Sequence, residues 1–333
     1  MRKAALIILI LVLLAAGAFM FLKRRHPTGA NRRAAASRLQ EPELSPAPEV
    51  ALQVDRESDL VVTKGTPLIL SVTLANPRAM NAALENEANQ ALVSEIEAGI
   101  TAGKIARETE EPRLARLRQP VPVQSVRLGD ETTSWKDYVH FSLLRPDGHK
   151  ELLPWSLRLA ADPESSSLSL GNTETAQLDY LLDPAAAAQI PPGDYQILVS
   201  LQAPANKPHA DTWEGETQSE PVRLSIVQDG APQTAADQEK THLQFAYYYQ
   251  AARDWTHALE SAQKARAVNQ HSLSASLLIG EVREAQGDLQ DALEAYQASQ
   301  AEFRAQYPKS YEPPLYIIDR ISSLRQELEG GPK

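Results

Sequence analysis

The chain of 333 residues contains no cysteine. Disulfides, thiolate metal sites and thiol nucleophiles are therefore excluded, while the cellular compartment stays open. Aromatic residues make up only 6%, so apolar patterning has to be read from Leu, Val, Ile and Ala. Chemical motifs are missing as well. There is no phosphate-cradling glycine loop, no G-x-S-x-G elbow and no H-E-x-x-H. The seven histidines are scattered. The compact group His209, Asp211 and Glu214 sits in the polar stretch PANKPHADTWEGE, which reads as a hairpin loop and not as a metal site. His257 and Glu260 lie one helical turn apart, an ordinary surface spacing. The expectation is a protein without catalytic residues, metal or cofactor.

Charge is unevenly placed. The net charge is −10, and residues 1–50 hold eight Lys/Arg against three Glu, which leaves −15 on the remainder. So acidic a folded part is a poor match for nucleic acid. The basic residues instead flank an uncharged apolar run, Ala4–Leu22, between Arg2-Lys3 and Lys23-Arg24-Arg25. At about 1.5 Å per residue this run reaches roughly 28 Å, the thickness of a bilayer core. A single transmembrane helix is expected over 4–22, after a tail at 1–3. Ala16-Gly17-Ala18 fits a signal-peptide cleavage pattern. Phe19-Met20-Phe21-Leu22 continues the apolar run and favours an uncleaved anchor. Lys23, Arg24 and Arg25 pull toward a cytoplasmic C-terminal side. The short N-terminal tail favours export, so the soluble part is expected outside the cytoplasm, in the periplasm if the source is bacterial. Residues 23–50, rich in Pro and small residues, read as a flexible tether.

From Ala51 the pattern changes to period two, and a β domain is expected over 51–229. Leu68, Leu70, Val72 and Leu74 share one face, as do Val139, Phe141 and Leu143, and Trp155, Leu157 and Leu159. Leu178, Tyr180 and Leu182 follow, then Tyr195, Ile197, Val199 and Leu201, and finally Val222, Leu224 and Ile226. Strands with one buried face, separated by Pro, Gly and Asp turns, predict an antiparallel sandwich. In LDYLLDPAAAAQIPPGDYQILVSL a strand, a helical turn at Pro184–Gln189 and a strand opening on Gly-Asp-Tyr resemble the cross-sandwich corner of immunoglobulin-like domains. That resemblance implies that Tyr195 ties the corner down.

Alternation breaks over about 78–118. Met80, Leu84, Ala88, Leu92, Ile96 and Ile100 recur every fourth residue among glutamates, predicting an inserted amphipathic helix. A charged stretch with Arg107, Arg113, Arg116 and Arg118 follows. The insertion packs on the sandwich or, alternatively, docks a partner, since insertions on rigid scaffolds often carry function.

After a linker at 230–238, residues 239–272 laid on 273–306 give eight identities, among them Leu243/Leu277, Asp254/Asp288 and Ala258-Leu259-Glu260/Ala292-Leu293-Glu294. Asp254 and Asp288 are placed to cap a second helix, and Gly287 suits a left-handed helix stop. A 34-residue period with helical patterning resembles two tetratricopeptide repeats. The chain departs from that family at His242, Ser276, Arg253 and Arg283, and neither copy ends in proline. Leu315, Ile318, Ile321 and Leu324 predict a capping helix that completes the module to about 329. The resemblance implies recognition of a protein or peptide segment on the concave face, at Leu243, Tyr247, Gln250, Leu277, Glu281 and Glu284. The helical phase is expected to send Phe245 and Tyr249 inward and to leave Tyr247 or Tyr248 facing out; packing of these tyrosines against the β domain or the neighbouring helix is the alternative.

The fold class expected is thus a multidomain α+β chain: a transmembrane helix, an immunoglobulin-like antiparallel β-sandwich with a helical insertion, and a C-terminal tetratricopeptide pair with a capping helix. Its expected role is a non-enzymatic, membrane-anchored interaction or scaffold protein. The other reading is a sandwich that binds a carbohydrate or envelope polymer, or acts as an inhibitor, with structural helices.

Overall fold

The computed structural model describes residues 48–122, 125–171, 175–204, 212–228, 234–307 and 312–330. Strands β1 (Glu49–Val54), β2 (Asp59–Thr63) and β3 (Leu68–Ala75) precede helices α1 (Pro77–Thr101) and α2 (Arg107–Leu117). Next come β4 (Val126–Leu128), a 3₁₀ turn (Trp135–Tyr138), β5 (Val139–Leu144), β6 (Lys150–Leu152), β7 (Arg158–Leu159), β8 (Leu168–Leu170) and β9 (Thr175–Leu182). A single helical turn, α3 (Pro184–Ala187), leads to β10 (Gly193–Ala203), β11 (Gly215–Gln218) and β12 (Val222–Val227). Among the described residues five helices follow: α4 (Ala235–Ala251), α5 (Trp255–Val268), α6 (Leu273–Gln286), α7 (Leu289–Gln306) and α8 (Leu315–Gly330). The expected membrane span at 4–22 and most of the tether lie outside the described residues. The tether's last two residues, Glu49 and Val50, belong to β1. Among the described residues no helix is long and apolar enough to cross a membrane.

The period-two residues do what alternation demands. The first sheet has strand order β1-β3-β9-β7, and the second β2-β12-β10-β5-β6, with β11 paired to β10. Leu70, Val72 and Leu178 of the first share one buried core with Leu60, Phe141, Ile197, Val199 and Leu224 of the second. Phe141 and Tyr180 meet edge-on across the gap at 4.8 Å. Close-packed aromatic and aliphatic side chains of this kind supply most of the stabilisation. Burial raises the Tyr180 phenol to about 12. Two details differ from the expected antiparallel sandwich. β2 runs parallel to β12, and the segment around Trp155 pairs only at Arg158–Leu159. The corner is as its residues suggest: the Tyr195 hydroxyl donates to the Pro191 carbonyl at 2.6 Å.

The insertion is a helical hairpin. Pro77 at the start of α1 and the Asn76 side chain, which accepts from the Ala79 amide, begin the helix, as N-terminal rules require. The expected stripe does not pack on the sandwich: Leu84 is 53% exposed and Leu92 38%. A series with four-residue steps drifts around the helix by about 40° per step, so it cannot form one straight face. Of that series Ile96 is buried, and the packed side otherwise carries Ala79 and Ala82, with Asn86 exchanging two hydrogen bonds with the backbone of Val121.

The C-terminal helices form consecutive hairpins, α4 with α5 and α6 with α7, followed by α8, in the 34-residue register. A capping box at Thr234 and Asp237 starts α4, five residues before the repeat register begins. Asp254 accepts from the His257 amide, as expected of a cap. Asp288 does not cap; it pairs with Arg283 at 2.8 Å. Gly287 stops α6 at φ +84, and Arg253, one period earlier, takes the same left-handed turn at φ +58. Arg253→Gly is therefore expected to raise the unfolding free energy by roughly 0.5 kcal/mol, relief of strain outweighing chain entropy; a denaturant titration reads it, and a loss of stability would contradict it. The capping stripe keeps the expected Ile321 and Leu324 but takes Ile317 in place of Ile318, and Leu315 is 72% exposed.

Candidate functional site

α4 is covered on two sides. Its Ala246 packs with Ala262, Leu278, Ile279 and Ala295 of the bundle. Its other side lies on the outer face of the first sheet, where Leu181, pointing away from the sandwich core, is fully buried. This is the alternative of tyrosine packing on the β domain, and it departs from the helical phase that would turn Phe245 and Tyr249 inward. Tyr248 is buried, with the Arg158 guanidinium 6.0 Å from its ring. Phe245 and Tyr249 remain half-exposed, their rings 6.2 Å apart. The helix presents Tyr248 to the sheet because the sheet supplies a second apolar surface that a solitary repeat lacks.

Along this junction runs a cleft of about 860 Å³. Its sheet wall comprises Gln53, Ser71, Thr73, Gln177 and Asp179; its helix wall comprises Glu239, Lys240, Leu243, Gln244, Tyr247 and Gln250, with Ser274 from α6. The β1–β2 turn closes one end through Asp55, Arg56 and Glu57. Asp55 and Arg56 both adopt positive φ, +46 and +69, and Val54 and Glu57 exchange backbone hydrogen bonds at 2.9 Å. The turn projects its side chains at α4. The Arg56 guanidinium stacks 4.5 Å from the Tyr247 ring centroid, Lys240 pairs with Glu57 at 3.1 Å, and Gln244 reaches Asp55 at 3.4 Å. Asp55 also accepts the Ile69 amide at 2.8 Å. Burial is the main influence on the Asp55 carboxyl and raises it to about 7, against the opposing pull of Ile69, Lys240 and Arg56. On the sheet wall, Ser71 and Gln177 both donate to the same oxygen of Asp179, at 2.7 and 2.8 Å.

The six residues singled out from the sequence fall into two groups. Leu243, Tyr247 and Gln250 line the cleft, and Gln250 donates to Glu281 at 2.7 Å, which brings Glu281 beside them. Leu277 packs instead against the cluster of Ala292, Leu293, Tyr296, Ile317, Ile321 and Leu324. Glu284 holds α8: Arg320 binds both its oxygens, with Nε at 2.7 Å, and the Tyr296 hydroxyl donates to it at 3.1 Å. Desolvation and the neighbouring Glu284 push that phenol up. Glu284→Ala is expected to cost about 1–2 kcal/mol, a bidentate but partly solvated pair, and to speed hydrogen exchange in α8; unchanged exchange there would contradict the assignment. Asp55, Arg56, Lys240 and Asp179 were not legible as site residues, because an Asp-Arg-Glu turn between strands looks like solvated punctuation. Of the polar loop, His209 and Asp211 lie outside the described residues. Among the described residues there is no group of three His, Cys, Asp or Glu that could hold a metal ion.

The chain is thus a mixed α+β protein, with N-terminal β-sheets and a C-terminal helical bundle that meet at a polar cleft. No family model matches it, and no curated protein matches it. Among solved structures, the C-terminal TPR-containing domain of an FK506-binding protein from Plasmodium falciparum matches with a TM-score of 0.24 and 18% identity, over 29% of this chain. The chain spans 58% of that domain's length. So slight a likeness carries no weight for fold or function.

Proposed function

We propose that this is a non-enzymatic interaction protein that binds a segment of a partner protein in the cleft between the first sheet and α4. The observation that carries the reading is the cleft itself. About 860 Å³ of space lies between two rigid walls, with an aromatic ring, Tyr247, and several polar groups converging on it. Concave sites that mix one aromatic surface with a few placed polar groups are where ligands bind. In this reading residues 239–272 and 273–306 are tetratricopeptide repeats, the 51–229 domain is an immunoglobulin-like sandwich, and residues 230–238 link them. Residues 4–22 anchor the chain in a membrane, and 23–50 tether the folded part outside the cytoplasm, which raises its local concentration near a membrane-bound partner. The acidic folded part points to a protein partner and away from nucleic acid.

The test is crosslinking with mass spectrometry on the chain in its native membrane. Tyr247→Ala removes the aromatic wall, and Gln177→Arg fills the cleft from the exposed sheet side without touching helix packing. Both variants are expected to lower recovery of the crosslinked partner at least about tenfold, equivalent to about 1.4 kcal/mol. Undiminished recovery with Gln177→Arg would place binding elsewhere.

A further inference from the structure

The cleft beside α4 holds more acid than its own cations answer. Four carboxyl groups line it, those of Asp55, Glu57, Asp179 and Glu239, against two cations, Arg56 and Lys240. Lys240 is committed to Glu57 at 3.1 Å, and Arg56 lies on the Tyr247 ring. Asp55 accepts from Ile69 and Gln244, and burial raises it to about 7, toward its uncharged form. Glu239 accepts from the Asn269 amide at 2.8 Å, and Glu281, beside the cleft, accepts from Gln250. Arg158, opposite Leu181 in the sheet, faces the Tyr248 ring. Asp179 is different. It stands two residues before Leu181 on β9, so both side chains leave the same face of the strand, Leu181 buried and Asp179 lining the cleft. Ser71, itself 8% exposed, and Gln177 both donate to its Oδ1. Among the described residues its Oδ2 has neither a hydrogen bond nor an ion pair. Neutral donors on rigid strands thus hold a carboxylate in place without a counterion.

We infer that the partner segment bound in this cleft carries a lysine, whose ammonium docks on Oδ2 of Asp179. The inference rests on the reading of the cleft as a partner site and names what that partner must offer. The hydrogen-bond pattern selects lysine over arginine. With both donors already on Oδ1, the carboxylate cannot receive a two-pronged guanidinium without giving one of them up, whereas an ammonium approaches a single oxygen as a point charge. The Gln177 amide spends an N–H on Asp179, and its carbonyl oxygen is left to accept a second ammonium proton. The aliphatic stem of the lysine then lies along Leu243 and Tyr247 of the helix wall, apolar surface of the kind such stems cover.

The test uses fluorescein-labelled peptide pools with random uncharged flanks and one fixed central residue, either lysine, arginine, norleucine or glutamate. Fluorescence anisotropy follows each pool against the full-length chain. The lysine pool is expected to bind at least about tenfold more tightly than the norleucine and glutamate pools, and more tightly than the arginine pool. Asp179→Asn keeps an oxygen for Ser71 and Gln177. It should hold the melting temperature within about 2 °C and erase the advantage of lysine over norleucine. Gln177→Arg should abolish binding of the lysine pool. No binding by any pool, no preference for the central residue, an arginine pool as tight as the lysine pool, or a lysine preference that survives Asp179→Asn would each overturn the inference and leave the cleft itself to the crosslinking test. Binding of every pool undiminished by Gln177→Arg would place the site elsewhere and overturn both readings.

Discussion

Gly129→Ala is expected to unfold the protein at temperatures where the parent is native. Gly129 follows β4 at φ +69, where an L side chain is strained. A Cβ there would stand 2.4 Å from the Ser166 carbonyl oxygen, 2.7 Å from the Trp135 nitrogen and 3.0 Å from the Thr133 oxygen. All three are backbone atoms, so no rotamer change relieves the clash. Two of them form the 2.9 Å hydrogen bond from Trp135 to Ser166 that seats Trp135, whose indole N–H donates to Ser165. Overpacking against backbone together with a left-handed φ is expected to cost on the order of 4 kcal/mol. Gly148 is the internal control, at φ +82 with nothing within 4 Å of its Cβ position; Gly148→Ala should cost only about 1 kcal/mol. Tryptophan fluorescence and thermal unfolding of the two variants separate them. Equal midpoints would show that the turn gives way without cost.

Stability is expected to fall as pH rises from about 4 to about 7 through Asp55, and to level off above that. The Asp55 carboxyl is raised from 3.8 to about 7 in the folded chain. Between these values the folded state holds a proton that the unfolded state has released, so unfolding is favoured as protons are withdrawn. A shift of this size corresponds to an upper limit on the order of 4 kcal/mol, spread over that window. The groups facing Asp55 are Gln244 and Lys240 on α4, Glu57 and Arg56 in its own turn, and the Ile69 amide. Asp55→Asn keeps a carbonyl for the Ile69 amide and removes the titration. Unfolding free energies measured across this range should slope downward for the parent, and less steeply or not at all for the variant. Parallel profiles would assign the pH dependence to other groups.

What the sequence reveals follows from how local each signal is. The alternation at Leu68–Leu74 and Tyr195–Leu201 reports one-sided burial directly, and both segments are central strands. The 34-residue period reports packing between neighbouring helices, and the four repeat helices keep that register. Partners distant in sequence leave no such trace. Nothing in QFAYYYQ says that a sheet lies over Tyr248, so the sequence leaves helical phase and packing on the β domain as open alternatives. The stripe from Met80 to Ile100 looked like a packing face because apolar spacing does not reveal which side meets the protein. The cleft was half legible for the same reason. Tyr247 and Gln250 belong to the repeat, whereas Asp55 and Arg56 arrive from the β1–β2 turn and Asp179 from β9, each more than 60 residues away.

The double coverage of α4 bears on how the protein loses its structure. Leu181 depends on α4 for its shelter, and α4 depends on α5 and α6 for its inner contacts, so the sheets and helices share one helix as common property. The folded region is expected to lose order as one cooperative unit, with a single heat-absorption peak. Cutting away the C-terminal helices to isolate the sheets would leave Leu181 facing water and create an adhesive surface. Such a truncation would report aggregation where loss of binding was sought, so point substitutions in the cleft are the sounder way to dissect this chain.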